Sequence, residues 1–171
     1  MLELGLVLFF PFFMIYAAAS DLFTMTISNK VSIFLISGFM VFAIWMGFPI
    51  EKILMHWAAF SLILAIGFGL FSLGAMGGGD VKLAASTALW FGWEHLFAYA
   101  VLTSLVGAGL SLLFVFGRTR HVPEMIANWE WVRRLYNHTH IPYGIALGTA
   151  AILVYPDTMW MQHVFEHVAP R

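Results

Sequence analysis

Long uncharged stretches of apolar residues limit what this sequence can fold into. A helix of about 20 apolar residues crosses the roughly 30 Å hydrocarbon core of a membrane. The stretches that predict helices lie at 3–20, 32–49, 55–75, 80–96, 97–117 and 141–156. They are continuous and lack the alternation typical of membrane strands. We therefore predict an all-α membrane protein, a polytopic bundle of about six transmembrane helices, in which the fourth helix is short, tilted or partly inserted.

The composition excludes several classes of protein. Charged residues make up 10% of the 171 residues, against about 25% in soluble domains, and the mean hydropathy is +0.88. A soluble fold of this size needs more polar surface. The net charge of -1 gives no sign of nucleic-acid binding, and the absence of cysteine excludes zinc held by thiolates. We predict a single integral-membrane domain over 1–171.

Basic residues predict the orientation of the helices. Of the 8 lysines and arginines, most lie in the connections at 21–31, 76–82 and 118–140. Cytoplasmic loops carry such an excess, so these connections are predicted to be cytoplasmic and both termini periplasmic. The connection 118–140 is further predicted to be an interfacial helix, and 157–171 a periplasmic tail.

Two aspartates lie where charge is costly, at the predicted cytoplasmic ends of spans. Asp21 follows the first apolar stretch, and Asp80 follows Gly77-Gly78-Gly79 and opens the fourth. The predicted topology brings both to the same membrane face. One carboxylate can remove a proton from water while the other, protonated, polarises a scissile carbonyl and later protonates the leaving amine. The pair therefore predicts an aspartyl dyad that shares one proton.

Each aspartate also has an ordinary structural interpretation. Asp80 can be a helix N-cap after a glycine turn, and Asp21 a solvated charge at the end of a span. The three glycines favour the catalytic interpretation, because they allow a close backbone approach and a peptidase binds its substrate extended, backbone against backbone.

These residues resemble the type IV prepilin peptidases, a family of GxGD membrane aspartyl peptidases. The matching segments are Asp21 with Ile27-Ser28-Asn29, Gly77-Gly78-Gly79-Asp80 with Val81-Lys82-Leu83, and Ile141-Pro142-Tyr143-Gly144. The resemblance implies an endopeptidase that removes a cytoplasmic leader from prepilins. It implies that Asp21 and Asp80 are catalytic and that no metal or cofactor takes part. The sequence departs from the family pattern at Ser28, where members often have proline, and at Thr24 and Met25, where basic residues are common.

The resemblance extends to the short family members, which serve Flp or tight-adherence pili. Long members carry paired CxxC motifs in a cytoplasmic insert and also methylate the new N-terminus. This chain has no cysteine and no room for that insert, so peptidase activity alone is implied. The implied partners are a prepilin with a basic cytosolic leader, the lipid bilayer and the pilus assembly machinery, and not nucleic acid. The implied location is the bacterial inner membrane, with the active site facing the cytoplasm.

The other motif residues are implied to support catalysis or bind substrate, and each has an ordinary alternative. Asn29 either orders the loop after the first aspartate or caps the second helix. Lys82 either balances charge beside the aspartates or anchors the cytoplasmic side. Pro142, Tyr143 and Gly144 either shape the cleft wall or start a helix with an interfacial tyrosine.

A different chemistry is suggested by His163-Val164-Phe165-Glu166-His167, which fits the zinc-peptidase pattern H-x-x-E-H. Catalytic zinc needs a third protein ligand, which would have to come from elsewhere in the chain. The favoured interpretation is an amphipathic tail that packs Trp160, Val164 and Val168 on the membrane.

Two non-enzymatic functions also stay open. Asp21 and Asp80 could serve a small ion- or proton-coupled transporter, or the chain could be a scaffold of a secretion complex. A scaffold predicts that both aspartates tolerate replacement by asparagine, whereas a peptidase predicts that neither does.

Overall fold

The computed structural model describes residues 2–118 and 141–168. Within these residues the helices are α1 (Leu2–Thr24), α2 (Asn29–Trp45), α3 (Ile50–Ser72), α4 (Gly78–Arg118), α5 (Tyr143–Val154) and α6 (Met159–Val168). A 3₁₀ turn, Tyr155–Asp157, joins α5 to α6, and the described residues contain no strand. The predicted all-α bundle is confirmed. The expected interfacial helix falls on 119–140, outside the described residues, and the single-domain organisation stays a prediction.

Helix lengths divide the described helices into two groups. The segments Glu3–Thr24, Ile50–Ser72 and Gly78–Phe116 are long and apolar enough to cross a membrane. Helix α2 has 17 residues and α5 has 12, so at 1.5 Å per residue they are about 26 and 18 Å long. The sixth expected span, 141–156, is thus a shorter helix followed by a turn. Six complete crossings remain a prediction.

Helix α4 is interrupted at Gly92, which has φ 58° and ψ -164°. This conformation is essentially restricted to glycine. The aromatic ring of Tyr99 lies 5.2 Å from that of Phe91, and the Tyr99 hydroxyl lies beside Thr87 and Thr103. In a straight helix, residues 87 and 99 would be about 18 Å apart, so α4 folds back on itself at Gly92. The break predicted between 96 and 97 therefore lies about four residues earlier.

Side chains satisfy the backbone carbonyls that this interruption releases. His56 Nδ1 donates to the Leu89 carbonyl at 2.7 Å, and Trp160 Nε1 donates to the Trp90 carbonyl at 2.7 Å. Non-helical backbone at membrane depth needs such partners because lipid offers none. A Cβ at Gly92 would lie 2.8 Å from the His56 ring, so glycine also makes room for this contact.

An aromatic core joins the short helices to α1. Trp90 is fully buried, packs 5.1 Å from Phe10 and 5.0 Å from Trp160 by ring centroids, and donates to the Leu35 carbonyl at 2.9 Å. Trp160 and Val164 of α6 are buried in this core. The expectation that the tail packs these two side chains on the membrane was therefore wrong: the Trp160 indole serves a carbonyl inside the bundle.

Candidate active site

Asp21 lies in the last turn of α1, which continues to Thr24, and its side chain is only 6% exposed. It is therefore not a solvated charge. The backbone N–H of Gly144, in the first turn of α5, donates to Asp21 Oδ2 at 2.7 Å. A Cβ at position 144 would lie 2.8 Å from Asp21 Cβ and from Oδ2. Glycine thus lets the start of α5 reach the carboxylate and hold one of its oxygens.

Asp80 occupies the first turn of α4, not the N-cap, because the helix already begins at Gly78. The backbone N–H of Gly77 is within hydrogen-bonding reach of its carboxylate, and the charge of Asp21 acts on it. A Cβ at Gly77 would lie 2.8 Å from Asp80 Oδ2. The structure therefore places the two predicted aspartates within electrostatic range of each other, each beside a glycine backbone.

The connection between α1 and α2 packs against the start of α4. A Cβ at Gly79 would lie 3.1 Å from Ile27 Cβ, and Lys82 Nζ donates to Asn29 Oδ1 at 2.9 Å. The interpretation of Asn29 as a helix cap was wrong, because Ser28 is the N-cap of α2 and accepts from the Lys30 N–H. Through this hydrogen bond with Lys82, the Asn29 side chain instead links the start of α2 to α4.

Hydroxyl groups that the sequence analysis missed hold the turn after Asp21. Met25 has φ 54°, a conformation costly for a residue with a Cβ. Ser20 Oγ donates to the Thr26 carbonyl at 2.9 Å, Thr24 Oγ1 donates to the Ser20 carbonyl at 2.7 Å, and the Thr26 hydroxyl donates to Thr24 Oγ1 at 2.8 Å. Three hydroxyl residues within seven positions are a recognisable turn signal.

The third motif lies at the same end of the bundle. Pro142 is the N-cap of α5, so the predicted helix start is confirmed. A Cβ at Gly107 in the returning part of α4 would lie 3.0 Å from the Tyr143 ring. Two carboxyl groups that interact electrostatically, one of them held by a backbone N–H, can take a proton from a substrate complex and return it.

A family model described as the type IV leader peptidase family matches residues 8–112. The chain belongs to the type IV leader peptidase family. It is accordingly a membrane protein of a family of peptide hydrolases. The match includes Asp21, Asn29, Gly77–Asp80 and Lys82, whereas the 142–144 motif lies beyond it. No curated protein and no solved structure matches this chain.

The residues of the alternative zinc motif, His163 to His167, lie in α6. Among the residues that the structure describes, no group of three His, Asp or Glu side chains could hold a metal ion. The ring of His163 packs edge-on to Trp45 with centroids 5.5 Å apart, and Glu166 is exposed. The side chain of His167 lies outside the described residues.

Proposed function

We propose that this chain is a membrane aspartyl endopeptidase that removes the cytoplasmic leader peptide from Flp-like prepilins. Family membership supports leader peptide hydrolysis in general. The observation that carries the aspartyl mechanism is the meeting of Asp21 and Asp80 from distant segments, with the Asp21 carboxylate held by the Gly144 N–H. This arrangement favours an enzyme over a scaffold, which needs no paired acids at a buried position.

Proton transfer by the two carboxyl groups accounts for the reaction. The ionised aspartate takes a proton from water, and the water oxygen forms a bond to the scissile carbonyl carbon. The protonated aspartate donates a hydrogen bond to the carbonyl oxygen. Breakage of the C–N bond then places a proton on the leaving amine, which leaves one acid and one amine product. A pair of like charges that shares one proton supplies both roles at once.

The other motif residues support this chemistry by position. Gly77, Gly78 and Gly79 leave the start of α4 without side chains, which makes room for an extended substrate. Lys82 and Asn29 connect the helix that carries Asp80 to the segment that follows Asp21. Pro142 and Tyr143 fix the beginning of α5, so that the Gly144 N–H points at the carboxylate.

The substrate and location follow from the same proposal. The short connection between α1 and α2, together with the absence of cysteine, favours peptidase activity without N-methyltransferase activity. The partners are a prepilin whose helix lies in the bilayer and whose basic leader lies in the cytosol, the lipid around both proteins, and the pilus assembly machinery. The protein lies in the bacterial inner membrane with the aspartates facing the cytoplasm and both termini periplasmic. No metal or cofactor takes part.

The deciding experiment measures leader cleavage in membranes that contain the chain and a Flp-type prepilin. Asp21→Asn and Asp80→Asn keep the side-chain shape and remove the acid, so each should lower the cleavage rate at least about 100-fold. Asp157→Asn is the matched control, because Asp157 is exposed in the 3₁₀ turn after α5. His163→Ala tests the zinc alternative, and immunoblots report the membrane level of each variant.

Loss of cleavage in both Asn variants at normal membrane levels, with activity in both controls, supports the dyad. Wild-type cleavage by either Asn variant refutes the aspartyl mechanism. If His163→Ala is then inactive and the wild type is sensitive to chelators, the zinc alternative replaces it. If the wild type does not cut, the transporter and scaffold functions become the alternatives to test.

A further inference from the structure

A groove between α1 and α2, here called the α1–α2 groove, opens on the outer surface of the bundle. Its volume is about 170 Å³. The mostly apolar part of its lining consists of Phe12, Phe13, Tyr16, Val31 and Phe34. Val31 is buried, whereas Phe12, Tyr16 and Phe34 are half exposed or more. The groove therefore presents aromatic rings to the surroundings of the protein, which in a membrane are lipid chains.

Two contacts bring the helices together at the end of the groove away from the aspartates. A Cβ at Gly38 of α2 would collide with the ring of Phe9, so α1 and α2 meet closely there. One turn nearer the aspartates, the rings of Phe13 and Phe34 stack with their centroids 5.3 Å apart. The α1–α2 groove extends from these rings toward the start of α2.

The end of the groove at the start of α2 carries a positive charge. Ser28 and Lys30 line it there. Ser28 Oγ accepts from the Lys30 backbone N–H, so the hydroxyl proton stays available to donate. Within the described residues, the Lys30 ammonium has no hydrogen bond or ion pair, whereas those of Lys52 and Lys82 contact an aromatic ring and an amide oxygen. No acidic residue belongs to the lining that the structure describes.

The groove lies on a different face of α1 from the candidate active site. Asp21 faces α5, because its carboxylate accepts from the Gly144 N–H. Tyr16 precedes Asp21 by five residues, which places it about 140° around the helix. A molecule in the groove therefore need not touch the aspartates.

We propose that the α1–α2 groove binds one anionic phospholipid, whose phosphate meets Lys30 and Ser28 and whose acyl chain lies along the aromatic walls. Basic pockets between membrane helices bind anionic headgroups. Lys30 precedes Phe34 by four residues, about 6 Å along α2. The groove thus offsets charge from apolar surface along the helix, as a phospholipid does. This inference is independent of the proposed function.

The size of the groove favours an acyl chain over a helix of a partner protein. A dry cavity of about 150 Å³ holds a molecule the size of benzene, so the α1–α2 groove takes a short length of hydrocarbon chain. A helix with its side chains is about 10 Å across and would have to force α1 and α2 apart. An unpaired ammonium at one end complements a phosphate group.

The first test measures the dissociation constant of the first bound lipid by native mass spectrometry. The purified full-length protein is held in non-ionic detergent, and the probes are phosphatidylglycerol and phosphatidylcholine with the same acyl chains. The wild type should bind phosphatidylglycerol about fivefold more tightly. Lys30→Gln should weaken phosphatidylglycerol binding about fivefold and leave phosphatidylcholine binding unchanged. Lys52→Gln, which removes the same charge at the start of α3, should match the wild type.

The second test concerns the apolar part of the groove. Phe34→Ala removes one wall and should weaken the binding of both lipids at least about threefold, because apolar contact with the chain is lost. Phe68→Ala is the matched control, because Phe68 is similarly exposed on α3 and, like Phe34, packs against another phenylalanine ring. Circular dichroism of each variant without lipid confirms that it is folded.

Three results would overturn the lipid site. The first is equal binding of the two lipids by the wild type, and the second is equal phosphatidylglycerol binding by Lys30→Gln and Lys52→Gln or equal binding by the two alanine variants. The third uses inorganic phosphate as the probe: if phosphate raises the unfolding temperature of the wild type as much as phosphatidylglycerol does, the groove holds an anion and not a lipid. None of these results depends on leader cleavage.

Discussion

At the scale of single residues, the absence of a Cβ decides which groups meet at the aspartates. Gly144 and Gly148 both lie on the face of α5 that packs on α1. A Cβ at 144 would touch the Asp21 side chain, and a Cβ at 148 would lie 2.9 Å from the Met14 carbonyl. An added Cβ would therefore be about equally crowded at the two positions, but only at position 144 would it crowd a candidate catalytic group.

This pair gives a prediction that separates packing from chemistry. Gly144→Ala and Gly148→Ala should each destabilise the protein by about 1–3 kcal/mol, because an added methyl group crowds the interface. Only Gly144→Ala should also lower kcat, by about tenfold or more per folded molecule, since it displaces the Asp21 carboxylate. Thermal unfolding in detergent and leader-cleavage kinetics measure the two effects. Equal kcat values in the two variants would show that Gly144 acts only in packing.

The sequence predicted which residues of the site lie together but not the bonds they make. Asp21, Gly77–Asp80 and Gly144 are recognisable because charge and glycine runs are unusual at the ends of apolar stretches. The Gly144 N–H bond to Asp21 joins residues 123 positions apart, and no local pattern encodes such a contact. The partner of Asn29 was missed for the same reason: Lys82 is 53 positions away.

At the scale of helices, the fold-back of α4 depends on side chains from other helices. His56 of α3 and Trp160 of α6 supply hydrogen bonds to the carbonyls of Leu89 and Trp90, shortly before Gly92. The boundary between the fourth and fifth spans was expected just after Glu94 and His95, because a span usually ends near charged residues. The observed boundary follows backbone conformation instead, since only glycine accepts the φ and ψ at position 92.

Removal of one of these donors should weaken the fold-back. Trp160→Phe keeps an aromatic ring in the core and leaves the Trp90 carbonyl without its partner, so it should destabilise the protein by about 1–3 kcal/mol. Trp57→Phe is the control, because the Trp57 indole makes no hydrogen bond within the described residues. Thermal unfolding monitored by circular dichroism compares them. A smaller loss of stability in Trp160→Phe than in Trp57→Phe would contradict this role.

At the scale of the whole molecule, the structure has two chemically different ends. The aspartates, the Gly77–Gly79 run and the start of α5 share one end, and the aromatic groups Phe48, Trp90 and Trp160 pack together toward the other. The hydropathy pattern predicted that the two aspartates share one end, because each apolar stretch reverses direction at the next connection, but it did not predict the aromatic group toward the other. It could not give the length of α5, which depends on packing against α1 and α4.

The orientation of these two ends decides whether the aspartates can meet a cytosolic leader. Because the chain has no cysteine, Ala75→Cys and Asp157→Cys each introduce a single thiol at an exposed position, the first near the Gly77–Gly79 run and the second beyond α5. The excess of lysine and arginine in the connections at 21–31, 76–82 and 118–140, taken together, predicts that a membrane-impermeant maleimide labels Asp157→Cys in intact spheroplasts and labels Ala75→Cys only after permeabilisation. Equal labelling of both variants in denaturant is the control for thiol reactivity, and leader cleavage is the control for folding. The opposite pattern would put the aspartates on the periplasmic side, where a cytosolic leader cannot reach them, and would refute cytoplasmic processing even if both aspartates prove essential.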